Sequence, residues 1–284
     1  MKYSVTTYSF HSYLQKGEMD LFDCVRSAHE LGFDAIEFTD LPGETQEERC
    51  KLAKELRSLC DELSLPVACY AVGAMMYQET KEAPDAEVER VCRQLDVAKL
   101  LGAPVMRHDM TFRLGDTGRA RSFDLMLPTM AENARRVTEY AAGLGIRTVT
   151  ENHGTVSQDS ERIERLFAAI GHDNFGVLID MGNFLCADED SFHAVNRLAP
   201  YALHVHAKDF APAVSDGFLT RGGRRIRGTV IGEGVIPLKL CLRALLHAGY
   251  DGYITVEYEG SEEARRGIAR GLSNLKKLVA TAEE

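Results

Sequence analysis

FGVLIDMGN, residues 175–183, decides the fold. An uninterrupted apolar run leads into one acid, Asp180, and a Gly-Asn pair ends it. A short continuous run with that punctuation reads as a strand buried on both faces, as in parallel sheets. Three more stretches close the same way: IRTVTENHG (146–154) on Glu151, YALHVHAKD (201–209) on His206, and GYITVEYEG (252–260) on Glu257. Strands of a closed barrel all point their C-terminal ends to one face, so these four side chains are expected to share a site.

Working outward, eight strands are predicted, near Tyr3–Ser9, Phe33–Phe38, Pro66–Val72, Ala103–Arg107, Ile146–Glu151, Phe175–Asp180, Tyr201–Ala207 and Gly252–Glu257. A helical stretch follows each. The last, Glu262–Val279, repeats Ala264, Ile268, Leu272, Leu275 and Val279 at three- and four-residue spacing, which gives one apolar stripe. Glycines at 32, 102, 145 and 249 stand where left-handed helix caps are expected, each just before a strand. Eight such units without a Pro- or Ser-rich linker predict one α/β domain over residues 1–284, a (β/α)8 TIM barrel. Two connections are long: His108–Ser122, with Arg113, Arg119 and Arg121, and the Gly- and Arg-rich Phe210–Gly234, which is expected to be a movable lid.

The hydrophobic fraction of 45% supports a large core. A formal net charge of −10 argues against nucleic acid or an anionic membrane surface as partner, because excess carboxylates repel polyphosphate. Seven cysteines without a C-x-x-C pair suit reduced thiols and a cytoplasmic setting. MKYSVTTYSF lacks the apolar core of a signal peptide, and no run approaches the ~20 residues of a membrane span.

Alternation along each strand pairs Glu151 with Val149, Asp180 with Leu178, His206 with His204 and Glu257 with Thr255 on one face. The opposite face is apolar or threonine-rich and suits the helix layer, which leaves the four polar ends in the barrel mouth. Three carboxylates and an imidazole are a ligand set for one divalent cation, manganese first, with magnesium, cobalt or zinc as other fits. A cation there stabilises the charge formed when a proton leaves carbon next to a carbonyl, with a nearby carboxylate or histidine as base. Isomerisation, epimerisation and β-elimination share that first step.

His153, two residues past Glu151, is read as a base or as the orienter of a ligand. His204, about 6.6 Å deeper than His206 at ~3.3 Å per residue, is read as a hydrogen-bonded interior histidine. Glu37, His108 and Lys208 are substrate-binding candidates at strand ends. From the long connection, Arg227 or its neighbours Arg221, Arg224 and Arg225, together with Glu233, are expected to contact substrate.

ENHG at 151–154, D-x-GNF at 180–184, HVHAKD at 204–209, IGEGVIPL at 231–238 and GYDGYITVEYEG at 249–260 together resemble the xylose isomerase-like barrels, in their sugar phosphate isomerase/epimerase group. The resemblance implies Glu151, Asp180, His206 and Glu257 as metal ligands, Glu151 and Glu257 as proton-moving groups, and a carbohydrate substrate. It implies an isomerase or epimerase first. The alternative is a lyase on 3-oxo-glycosides, similar to C-glycoside deglycosidase catalytic subunits, and a third reading is a non-catalytic sugar-binding barrel. The implied partners are a homo-oligomer or, for the lyase, a small second subunit. Asn183 and Pro212 depart from the His and Arg of ketose 3-epimerases, which points away from a free ketose. Asn183 and the absence of a D-x-H element after the seventh strand also depart from endonuclease IV.

Overall fold

In a computed structural model, residues 1–77, 82–112 and 122–282 are described; Arg113, Arg119 and Arg121 lie outside them. Eight parallel strands close a barrel: β1 (Lys2–Thr6), β2 (Ala35–Thr39), β3 (Val67–Val72), β4 (Val105–His108), β5 (Arg147–Glu151), β6 (Phe175–Asp180), β7 (Ala202–Ala207) and, last in the chain, β11 (Tyr253–Val256). Around the barrel the order is β1-β11-β7-β6-β5-β4-β3-β2, so the last strand pairs with the first, Lys2 opposite Tyr253. Helices α2 (Leu21–Glu30), α3 (Gln46–Glu62), α4 (Glu82–Leu101), α5 (Phe123–Leu144), α6 (Ser160–Ile170), α8 (Ser191–Leu198), α9 (Leu238–His247) and α10 (Ala264–Ala282) form the outer layer, with short α1 (His11–Lys16) and α7 (Asn183–Cys186) on loops. The fold is therefore the (β/α)8 TIM barrel that the strand and helix periods predict. Among the described residues no helix is long and apolar enough to cross a membrane.

Local chemistry sets the boundaries. Thr45 and Glu48 form a reciprocal capping box at the start of α3, and Asp20 with Asp23 does the same for α2, satisfying amide groups that the first helical turn leaves without partners. Gly145 ends α5 at φ 72°, a conformation that disfavours any residue with a Cβ. The first strand stops earlier than Tyr3–Ser9: the Thr6 hydroxyl accepts from Tyr8 N, turning Thr7–Phe10 into a 3-10 helix. That turn brings Tyr8 to the barrel mouth.

The segment expected as a lid carries a small antiparallel sheet, β8 (Asp209–Pro212), β10 (Arg225–Thr229) and β9 (Phe218–Leu219), in that order. Buried Asp209 pins it. Its carboxylate accepts backbone amides from Phe210 and Gly232 at 2.9 Å, Gly234 at 2.9 Å and Ile236 at 3.1 Å, tying both ends of the insertion to one side chain.

Candidate active site

Strand register explains why the mouth holds these residues. In the parallel ladder Glu151 stands opposite Leu178 and Asp180 opposite His206, while the amide of Glu257 donates to the carbonyl of Ala207 at 3.0 Å. The donor atoms of Glu151, Asp180, His206 and Glu257 consequently lie within 4.8 Å of one another, all four residues being buried. Asp180 Oδ1 accepts the amides of Gly182 and Asn183, whereas buried Oδ2 has no hydrogen bond among the described residues and only the Lys208 ammonium nearby at 3.4 Å. Such an orphaned oxygen among two more carboxylates and an imidazole fits a hard or borderline divalent cation. The four residues would hold it through three oxygens and His206 Nδ1.

Electrostatics fit the same reading. Burial pushes Asp180 up to about 7; Lys208 works against that rise, and Glu257 and Glu151 add to it. Burial disfavours charge on His206, but Glu37 and Glu257 outweigh it and raise the imidazole well above its ordinary value. Burial likewise opposes charge on Lys208, and Asp180 and Glu257 overcome it. Its Nζ lies 3.4 Å from Asp180 Oδ2 and 3.0 Å from Glu257 Oε1. Three protein-borne positive charges, on His206, Lys208 and Arg107, thus face the carboxylates. A divalent cation replaces one of them, because His206 must lose its Nδ1 proton to become a ligand, and Asp180 must be ionised. The sign follows: binding releases protons, so the apparent affinity strengthens as pH rises. Near pH 6 the expected slope is between one and two decades per pH unit, falling toward one above the Asp180 pKa of about 7. Titration calorimetry with Mn2+ in two buffers of different ionisation enthalpy measures the proton count. A pH-independent affinity would remove His206 and Asp180 from the ligand set.

His206 is oriented from behind. Its Nε2 lies 3.0 Å from Glu37 Oε2, and Nδ1 is 2.6 Å from Glu257 Oε2. A carboxylate on the far nitrogen fixes the ring and leaves Nδ1 for a metal. His204 sits deeper, 2.9 Å from the same Glu37 oxygen and 2.8 Å from Thr255 Oγ1. Glu37 was expected to bind a substrate hydroxyl; Oε2 serves the two histidines, while Oε1 has no partner and the residue lines the inner cavity.

Other candidates are placed differently from the expectation. His108 turns away from the mouth: it packs 6.3 Å from the Phe175 ring, and burial drives its pKa down to about 4. Its neighbour Arg107 points inward instead, since β4 aligns Arg107 with inward-facing Val149. Arg107 Nη2 reaches Glu151 Oε2 at 2.7 Å and Asp109 Oδ1 at 2.9 Å. Glu233 is bound to Arg270 of α10 at 2.6 Å, and Arg227 to Asp216 at 3.3 Å; neither lines the cavities at the mouth. Of the loop arginines, Arg221 does reach the cavity wall.

Asp109, which no strand pattern singled out, holds His153. Its Oδ1 is 2.9 Å from His153 Nδ1, and Arg107 Nη2 is 2.8 Å from that nitrogen. An unprotonated His153 Nδ1 accepts from the Arg107 guanidinium, whereas the tautomer that carries its proton on Nδ1 donates to Asp109. Nε2 then has no partner among the described residues, and the half-buried ring lines the cavity. That is the geometry of a base oriented by a carboxylate.

Comparison with known proteins agrees with the fold. Inosose dehydratase from Lacticaseibacillus casei is 30% identical over 160 residues, 54% of this chain and 53% of that protein, so the chain spans about half the length of that relative. Rhizopine catabolism protein MocC of Rhizobium meliloti is 24% identical over 286 residues, 94% of this chain and 84% of MocC. Among solved structures, the IOLI protein with a bound zinc atom superposes with a TM-score of 0.80 at 16% identity over 99% of both chains. D-psicose 3-epimerase from Clostridium cellulolyticum H10 gives 0.77 at 16% identity over 98% of this chain and 99% of that one. These two share the fold. A family model described as xylose isomerase-like TIM barrel matches residues 25–278, and the chain belongs to that family.

Proposed function

We propose that this protein is a divalent-metal-dependent enzyme that removes a proton from carbon next to the carbonyl of a sugar- or cyclitol-derived ketone and expels the oxygen substituent one carbon further on. The observation that carries this reading is the His153–Asp109 pair, set in a cavity that also reaches Glu151, His206 and Glu257. A bound cation supplies Lewis-acid stabilisation of the negative charge that grows on the carbonyl oxygen. His153 Nε2 takes the carbon-bound proton, with Asp109 steadying the imidazolium. The electrons of that C–H bond become the new C=C bond, and the C–O bond at the β carbon breaks. The departing oxygen takes a proton and leaves as water or an alcohol; Lys208 and Tyr8 line the cavity as donors. The likeness to inosose dehydratase and MocC supports a polyhydroxylated ketone as the substrate class.

Epimerisation is the second reading, favoured by the placement of Glu151 and Glu257 on separate strands around one cluster and by the shared fold of D-psicose 3-epimerase. The surroundings of the two carboxylates count against it. Lys208 and His206 overcome burial and hold the Glu257 carboxyl well below its usual range, and Glu151 is bound by Arg107 at 2.7 Å and Asn183 at 3.1 Å. Ion-paired glutamates also suit a non-catalytic barrel, yet such a barrel has no use for a carboxylate-oriented histidine in its cavity. Reaction of the Mn2+-loaded protein with inososes and keto sugars in deuterated water separates the readings. Elimination yields an enone-type chromophore with loss of water or alcohol, whereas epimerisation yields substrate deuterated at an inverted carbon. Neither product nor exchange at the α carbon across the panel would sink both.

A further inference from the structure

The mouth opens into two joined chambers. The inner one, about 300 Å³, is lined by Glu37, Glu151, Glu257 and His206; the outer one, about 600 Å³, is twice as large. Tyr8, Phe112, His153 and Glu259 line both, so His153 stands at the neck between them. The inner chamber suits a hydroxylated ring: its lining includes Thr6, Thr39 and Arg107 beside the site carboxylates. The outer chamber differs in chemistry. Phe112, Phe210, Phe218 and Leu219 contribute to its wall, and three of these are open to solvent: Phe112 by 44%, Phe218 by 40% and Leu219 by 58%. A small hydroxylated substrate would leave those side chains wet. Gln158 and Arg221 add hydrogen-bonding groups to the same wall.

The wall is built in place. Phe218 and Leu219 belong to β9, laddered to β10, and Phe218 packs edge-on against buried Phe210 with ring centroids 5.4 Å apart. The Arg221 amide donates to Cys186 O at 2.8 Å, and its guanidinium to Asp159 at 3.1 Å. On the other side Gly154 lets the loop after β5 touch the loop after β4, since a Cβ there would fall 2.3 Å from Phe112 O.

We propose that the outer chamber is a subsite for an aromatic group attached to the carbonyl-bearing ring, so that the substrate is an aryl conjugate of a sugar or cyclitol. This rests on the reading of the inner chamber as the reaction site. Flat rings gain both burial and favourable edge or offset contacts against phenylalanines, which a free monosaccharide does not provide.

Binding of unreactive probes tests the subsite separately from the chemistry. Calorimetry on the Mn2+-loaded protein compares phenyl with methyl β-glycosides in the gluco and galacto configurations. The phenyl member is expected to bind about tenfold more tightly. Phe218→Ala and, separately, Leu219→Ala are expected to erase most of that preference while leaving methyl glycoside binding unchanged; both positions lie on a surface strand outside the core. Equal binding of phenyl and methyl members, no binding by any probe, or a preference that survives in both variants overturns the subsite. Failure of the elimination reading would look different: the phenyl preference persists while no ketone is turned over.

Discussion

Replacing His153 with alanine is expected to lower kcat by about 10²- to 10⁴-fold while the protein keeps its metal, the range for loss of a positioned general base. The His153 side chain lines the cavity and hydrogen-bonds to Arg107 and Asp109 rather than to the four-residue cluster. Metal content by elemental analysis should therefore match the wild type. Asp109→Asn should reproduce part of the loss, because the amide no longer steadies a charged ring. If His153→Ala instead lost metal and kept its turnover per bound ion, the histidine would be an orienter of the cluster, and the base would be one of the glutamates.

Asp180→Ala is expected to weaken Mn2+ binding by more than ~100-fold, beyond the effect of removing an outer partner of a ligand, and to abolish turnover. Asp180 is fully buried, and Oδ1 accepts two amides at the start of α7 while Oδ2 faces the cluster. Alanine leaves those amides without an acceptor, so a stability measurement should accompany the binding isotherm. Asp180→Asn keeps an oxygen for the amides and should fold normally with metal binding still impaired. Full Mn2+ affinity in the asparagine variant would reassign the site.

The four cluster residues were legible because each ends an apolar run, and a barrel gathers strand ends on one face. The partners of those residues were not. VMRH on β4 offers two adjacent polar side chains with opposite directions, and only the pairing of Arg107 with Val149 shows which one enters the mouth. That register is a property of two strands, absent from either alone. Asp109 follows the strand and carries no period. Phe210–Gly234 read as a loose loop because its strands run only four, two and five residues, too short to show alternation. What makes them a sheet is Asp209, whose bonds reach 23 to 27 residues along the chain. Glu233, on the turn after β10, is tied to α10 through Arg270 and lines neither cavity at the mouth.

The position of β11 between β7 and β1 has a consequence for assembly. Glu151, Asp180 and His206 come from three strands that are neighbours both in the chain and in the barrel. Glu257 comes from the strand that joins the two ends of the sheet. A sheet of β1 to β7 alone would carry three of the four proposed ligands, and the fourth would be supplied only when β11 closes the cylinder. Full-strength metal capture is thus expected to report closure, with a bound ion as a latch between the strand that completes the barrel and the three already laid down.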